Sequence, residues 1–596
     1  MKRKFNRWLK GAFISSVVIA GLTSCADDHF DINPSVSGRN TLWENISSNE
    51  DLSDFADILQ RVKYSKSEGI TTVETYADLF SNNQTFTVWA PKNGSFDYEK
   101  YDALLETGDP LDAYRVEKEL IRNSMVRFSY VMTGNDSIKL ELFNSKTAVF
   151  NCGKATMKGQ QIITPNIGSS NGILHVIDGA VAYQPNMYEY ISNIEGLDSL
   201  YAFLNKYQKT EFSENLSTSG PTVDGLITWV DSVFVTNNEF LNSIQAYLTR
   251  EDSSYVMILP TNDAWTTALS TTRKYYNYKN SYKQDVATTT TAGKDTLISG
   301  VETVFTQLEL DSIVEFRSKA AIARNLVFNA NTQWGKDHND FAVEGACDSL
   351  KTTSGQIFYD PFSARLFAGA SPVEVSNGYA YVVNTFNYRP EDSWAYDKIY
   401  ETENFSVLES SDANCIANTA SFKISDFTAL EDSFGIQAID TVISYSAFQM
   451  SPKTSTSQPG ATFMLKNTLS CKYDIYVLMA YNSYDNKPNK FQVTMAYDTD
   501  SKREKNVRLK NPNEADTEYY NTTYFVNKAP YIDETGRPHY VDSVLVAKDF
   551  ELPVCYEGLD NAYVTINIKS NLRSSERNNY SRELLIDKIV LKAKEN

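Results

Sequence analysis

The sequence is poor in the residues on which hydrolases and metalloproteins depend. Four histidines serve 596 residues, so any mechanism needing an imidazole base can draw only on His29, His175, His338 and His539. Six cysteines occur without a single C-x-x-C pair. Beyond Cys25 they are Cys152, Cys347, Cys415, Cys471 and Cys555, an odd number that excludes complete internal pairing, with spacing wrong for zinc. H-E-x-x-H, Walker A, G-x-G-x-x-G and EF-hand spacings are all missing. Basic residues are also scarce, with 56 Lys and Arg against 75 Asp and Glu for a formal charge of -19. No basic run follows residue 10, which excludes nucleic acid as a partner. The apolar run Gly11–Leu22 is shorter than the ~20 residues a spanning helix needs, and no later segment approaches that length. What the chain does have is 42% hydrophobic and 13% aromatic residues, enough for several cores. At ~100 to 200 residues per domain, three or four domains are expected.

The first ten residues hold Lys2, Arg3, Lys4, Arg7 and Lys10 with no acid, ahead of the apolar run and Leu22-Thr23-Ser24-Cys25. Residues 1–24 read as an export signal. The Leu-Thr-Ser-Cys ending resembles the bacterial lipoprotein box, which implies a lipid on Cys25 and membrane contact through that anchor. The following Ala26-Asp27-Asp28-His29-Phe30-Asp31 resembles the acidic tag that sends lipoproteins of Bacteroidetes to the outer face of the outer membrane, so the expected location is lipid-anchored and facing the cell exterior. Residues 25–40 read as a polar tether.

From Thr41 the pattern is structured. Leu52, Phe55, Ile58, Leu59 and Val62 follow a helical period, as do Leu111, Tyr114, Leu120, Ile121, Met125 and Phe128. Between them Thr85 to Ala90 reads as a strand stopped by Pro91, with Asn93-Gly94-Ser95 as helix-start chemistry before Phe96. Short strands follow at Ile138 to Phe143, Ile162 to Ile163 and Ile173 to Val181, the last entered through an Asn171-Gly172 turn.

Phe86-Thr-Val-Trp-Ala-Pro-Lys-Asn-Gly-Ser-Phe96 and Asn171-Gly-Ile-Leu-His-Val-Ile-Asp-Gly179 together resemble the two signature segments of the fasciclin (FAS1) domain, over residues 41–185. A second copy is expected over 186–395. Met187 to Tyr207 reads as its opening helix, Tyr255-Val-Met-Ile-Leu-Pro-Thr-Asn-Asp-Ala-Trp265 matches the first segment, and Ser376-Asn-Gly-Tyr-Ala-Tyr-Val-Val-Asn384 matches the second. An insertion near 269–310 reads as a long loop. Residues 396–596 turn strand-rich, at Tyr473 to Ala480, Phe491 to Tyr497, Val541 to Val546, Ala562 to Ile568 and Leu584 to Leu591. This spacing predicts an all-β sandwich that stands alone. Its closing strand resembles those of jelly-roll domains related to carbohydrate-binding modules. The expected fold class is therefore α+β: two fasciclin-like domains, each with helices packed on a β-wedge, followed by a jelly-roll-like sandwich.

Catalysis has little to stand on, and neither cofactor nor metal is expected. His175 lies mid-strand, where a packed structural imidazole is the commoner role. Gly168-Ser-Ser-Asn-Gly172 matches G-x-S-x-G literally, but a loop precedes Ser170 and a strand follows, the wrong setting for a nucleophile. Some fasciclin domains bind receptors through a Tyr-His pair between the two segments; Arg127 to Gly134 and Arg324 to Asn329, the matching stretches here, lack His. Tyr519, Tyr520, Tyr524 and Tyr540 sit near a polar loop and are the candidate ligand-binding residues, since exposed rings stack on sugar faces. The functional expectation is a non-catalytic surface lipoprotein that adheres or binds a ligand through its fasciclin domains. The alternative is glycan capture by the sandwich for a polysaccharide uptake system. The partner is thus an extracellular protein or glycan. Fatty-acid labelling should mark the wild-type chain and not Cys25→Ala; equal labelling of both would refute the anchor.

Overall fold

The computed structural model describes residues 38–594, apart from 68–69, 224–225, 290–294, 331–348, 360, 362–364, 422–445, 481, 483–486, 529–530, 533, 535–537 and 560–561. Cys25, Asp27, Asp28, His29, His338 and Cys347 thus lie outside the described residues. The chain divides into two compact units, Met1–Pro185 with Lys209–Asn237, and Asn186–Gln208 with Asn238–Asn596.

In the first unit, helix Leu42–Ser47 is opened by a capping box: the Thr41 hydroxyl accepts from Glu44 N–H while the Glu44 carboxylate accepts from Thr41 N–H. Helix Ser53–Arg61 follows and buries Phe55, Ala56, Ile58 and Leu59, the face its period marks out. The strand Phe86–Pro91 is buried at all six positions, because it lies between two cores. Phe86, Val88 and Ala90 pack on the helices, whereas Trp89 points to the other side, with Phe150, Met157, Ile162 and Ile177. This strand pairs in parallel with Gly172–Ile177 and antiparallel with Met125–Arg127. The seven-stranded sheet then continues through Gln160–Ser169, Thr156–Met157 and Thr147–Asn151 to Ser137–Glu141.

Two expectations are corrected here. Asn93 does not start the helix after it, which begins at Tyr98 under an Asp97 cap. Its side chain instead accepts from Asp54 N–H at 3.0 Å and so caps the earlier helix Ser53–Arg61. The second helical pattern also fails to run through to Phe128. Helix Pro110–Val116 widens into a π turn at Glu117–Ile121 and tightens at Arg122–Ser124, and Met125 begins a strand. The buried Glu117 carboxylate explains the widening: it accepts from Tyr76 Oη at 2.8 Å, Ser65 N–H at 2.9 Å and Arg122 Nε at 2.9 Å, which turns a polar residue inward.

The second unit repeats these devices. Tyr255–Pro260 pairs in parallel with Gly378–Val383 and antiparallel with Val327–Asn329. Asn262 occupies the place of Asn93, accepting from Ser199 N–H at 2.9 Å and capping helix Asp198–Asn205. The helix expected over Met187 to Tyr207 is two, Met187–Asn193 and Asp198–Asn205, parted where Gly196 takes φ +88°. The insertion is not a loop. It forms the hairpin Ser281–Thr289 with Asp295–Val304, register Thr288 to Thr296.

Beyond it, among the described residues, two antiparallel sheets of six strands make the sandwich. One carries Lys472–Ala480, Leu584–Ala593 and Val541–Glu551 side by side; the other carries Gly460–Leu465, Val564–Ser570 and Lys490–Asp498. Phe448, Val477, Phe463, Val493 and Ile566 belong to the core between them.

That core runs without a break into the second fasciclin-like fold. The segment leading into the hairpin is the join: Tyr275, Tyr276, Tyr278 and Tyr282 are all buried. Tyr278 Oη donates to Glu557 O at 2.7 Å, Tyr282 Oη donates to Cys555 O at 3.0 Å, and Cys555 N–H donates to Asn277 O at 2.8 Å. At ~25 cal/mol per Å2 of apolar surface, four buried rings contribute several kcal/mol, a large share of the ~5–15 kcal/mol that holds a domain. The packing is at odds with a sandwich that stands alone. Residues 396–596 expressed by themselves should therefore aggregate or melt far below the 186–596 segment; equal melting temperatures by calorimetry would show the shared core to be dispensable.

Candidate functional site

The tyrosines singled out from sequence do not form one exposed platform. Tyr540 is fully buried beside Ala420, Ala447, Ala480, Val541 and Leu585, and offers no face to a ligand; the alternation that makes it strand-like also turns it inward. Tyr519 and Tyr524 do come together, but around the protein's own cation. With Tyr580 they surround the Lys490 ammonium at 5.0, 4.5 and 5.6 Å from their ring centres. Lys490 pairs with Glu576 at 2.5 Å, and Tyr519 Oη shares a 2.9 Å hydrogen bond with Tyr580 Oη. Tyr520 stands apart, 46% exposed.

His175 is structural, as its strand position suggests. Its ring stacks on Trp89 with centroids 5.5 Å apart. Nε2 donates to Tyr130 O at 3.0 Å, and Nδ1 accepts from Asn166 N–H at 3.3 Å, so both nitrogens are committed. Burial pulls its pKa down to about 4, against a smaller upward push from the Tyr130 carbonyl. His539 stacks on Tyr531 at 4.7 Å. Ser170 lies in the turn between two antiparallel strands, Gln160–Ser169 and Gly172–Ile177, and no helix follows it there. Cys152, Cys415, Cys471 and Cys555 are free thiols, all buried, and burial pushes Cys471 and Cys555 up to about 12. They are not poised nucleophiles. Among the described residues no cluster of three or more His, Cys, Asp or Glu could hold a metal.

The side chains best arranged to meet a ligand were not legible in advance. A cavity of about 450 Å3 opens in the second unit between the inserted hairpin and one sandwich sheet, lined in part by Lys279, Tyr282, Glu409, Asp498, Arg503 and Tyr563. Asp498 is its fixed point. It ends the strand Lys490–Asp498 and faces Arg503 in the next strand. Arg503 Nη1 donates to Asp498 Oδ2 at 2.9 Å and Lys279 Nζ to Oδ1 at 3.3 Å. From beneath, the Tyr556 hydroxyl donates to Asp498 Oδ2 at 2.6 Å and accepts from Asp498 N–H at 2.8 Å. Burial, then the Asp498 charge, pushes that hydroxyl far above the phenol range, so it stays a donor. Lys279 is aimed by its own backbone, whose N–H donates to Tyr282 Oη at 2.7 Å. Only the polar run Asp498-Thr-Asp-Ser-Lys-Arg503 hinted at this, as a turn with opposite charges at its ends.

The buried His175 makes a pH test. Unfolding restores its ordinary pKa near 6.5, so the unfolded state binds more protons between that value and about 4. Its stabilisation is whole above pH 6.5 and is lost as pH falls through that window, by ~3 kcal/mol. The melting transition of the first unit should drop between pH 6.5 and pH 4 in wild type and drop less in His175→Gln; identical profiles would contradict the buried neutral ring.

Comparison with known proteins agrees with the first motif pair. The Fasciclin domain model matches residues 51–182. No match is found among the curated proteins. Among solved structures, a FAS1 domain pair from the insect cell adhesion molecule fasciclin I aligns at 10% identity over 59% of this chain and 97% of that one, with a TM-score of 0.19. A carbohydrate-binding module known for specific mannan recognition aligns at 12% identity over 34% of this chain and 99% of that one, with a TM-score of 0.17. Scores this low assign neither fold nor ligand. With helices packed on one face of a mixed sheet, both signature segments in its parallel pair and a matching family model, residues 51–182 are a Fasciclin domain.

Proposed function

We propose that the chain is a non-catalytic binding protein, held at the outer membrane by a lipid on Cys25 and displayed to the exterior, where it adheres to or captures an extracellular ligand. The observation that carries this reading is the character of the side chains at its cavity and motifs. Lys279, Asp498 and Arg503 there are held in ion pairs and hydrogen bonds, and the imidazole within the second family motif, His175, is buried and bonded at both nitrogens. Fasciclin domains are generally non-catalytic. A second reading, glycan capture through the sandwich, is favoured by the polar cavity at one of its sheets. Many weak contacts from repeated copies on one surface would add by avidity in either case.

Display is tested with protease on intact cells. The wild type should be digested, and a variant lacking Asp27 and Asp28 should be lipidated but spared, because those acids follow the lipid box and are not part of it. A wild type that resists while a known surface protein is cut would place the molecule in the periplasm and end both external readings.

A further inference from the structure

We propose that the cavity around Asp498 binds a neutral glycan, one hexopyranose of which is held through its hydroxyls by Asp498 and Arg503 and through its apolar face by Tyr563. This rests on the glycan-capture reading and gives it a location away from the tyrosine-rich loop. The size fits: about 450 Å3 falls within the ~300–1,000 Å3 typical of small-molecule sites.

Charge selects the class of ligand. Lys279, Arg503 and Lys505 line the cavity together with Glu302, Glu409 and Asp498, so its formal charge sums to zero. An anionic ligand drawn to the bases would be set against three carboxylates, and a cation would meet the converse. A polyhydroxylated ligand gains from both signs, because each hydroxyl donates one hydrogen bond and accepts others. Adjacent ring hydroxyls can then bridge a carboxylate and a guanidinium lying side by side, which is the Asp498–Arg503 arrangement at 2.9 Å.

Capacity remains on both partners. A carboxylate has roughly four acceptor directions, and Asp498 uses three of them, on Lys279, Arg503 and Tyr556. Arg503 has about five N–H donors; Nη1 serves Asp498 and Nη2 serves Tyr563 O at 3.1 Å. The half-buried Tyr563 supplies aromatic surface at the same wall, with the Lys466 ammonium 5.9 Å from its ring centre and its hydroxyl 3.4 Å from Glu409 Oε1. Preorganisation favours binding as well. Asp498 is only 8% exposed and is pinned from below by the fully buried Tyr556, so little side-chain freedom is lost when a ligand arrives.

The test is titration calorimetry of the full chain in detergent against gluco-, manno-, xylo- and galacto-oligosaccharides, with oligogalacturonate as the acidic counterpart. At least one neutral oligosaccharide should bind, with an affinity that changes less than ~3-fold between low and high salt, since no net charge is neutralised. Tyr563→Ala and Arg503→Met should each weaken it by ~10-fold or more. Glu409→Ala, on an exposed side chain whose loss cannot unfold the protein, should weaken it several-fold at an unchanged melting temperature. Neutral glycan binding that survives all three substitutions would overturn the location and leave the capture reading standing. Salt-sensitive binding of oligogalacturonate alone would overturn the neutral class. Silence across the whole panel would overturn the capture reading itself, and the proposal with it.

Discussion

The fasciclin fold in this chain hangs on an Asn-Gly pair at the start of one buried strand. Asn171 Oδ1 accepts from Leu42 N–H at 2.7 Å, and its Nδ2 donates to Phe80 O and Asn82 O at 2.8 and 2.6 Å. One buried amide thereby satisfies the first turn of the opening helix and the last turn of another, groups that would each cost free energy if left bare. Gly172 beside it takes φ +150°, and a Cβ there would sit 1.9 Å from Phe86 O. The parallel strands can close only because that side chain is missing. The second copy repeats the device with Asn377, which accepts from Met187 N–H and donates to Leu248 O and Arg250 O. Gly378 there lies under Tyr255 O, with 1.8 Å to a Cβ. Two segments far apart in sequence share little beyond this geometry and a proline-terminated strand, and this geometry is what makes the repeat one of fold.

The second constraint is the insertion. In the second copy the chain leaves the helix Asn262–Thr272, threads four tyrosines into the sandwich and returns through a hairpin to the helix Gln307–Ala323. Those tyrosines join two cores into one, and they also place Lys279 beside Asp498. The cavity therefore depends on both folds of the second unit being present, and a change that loosens the tyrosine join should reach the site through Lys279. Stability and the shape of the cavity are coupled there by geometry alone, with no moving part required.

Legibility followed locality. The strand Phe86–Pro91, the Asn171-Gly172 turn and the alternating strands Lys472–Ala480 and Leu584–Ala593 were visible because their signals, apolar period and turn chemistry, sit within a few residues of each other. The role of Asn93 is hidden by the same locality: a capping side chain looks local, yet this one reaches back to Asp54. The π turn at Glu117 was hidden because its cause, a buried carboxylate shared among Ser65, Tyr76 and Arg122, is tertiary. The cavity was hidden most thoroughly, since Lys279, Asp498 and Tyr556 come from separate stretches of chain. The tyrosine-rich loop drew attention by composition, and composition cannot distinguish a ring offered to a ligand from a ring folded around Lys490.

That last distinction bears on what kind of protein this is. An aromatic cage with its own lysine inside is a finished structural element: filling it with a ligand would require expelling an ammonium that is paired to Glu576 and only 7% exposed. The Asp498 site is the opposite case. Its ion pairs form part of the wall of an open volume, and Lys279, Arg503 and Asp498 in that wall are each held by a partner on a different element. Rigid donors and acceptors around an open space suit recognition, where a fixed pattern is matched, better than they suit a reaction cycle, where protons must be passed and returned. The buried, high-pKa thiols and the doubly bonded His175 carry the same character elsewhere in the molecule.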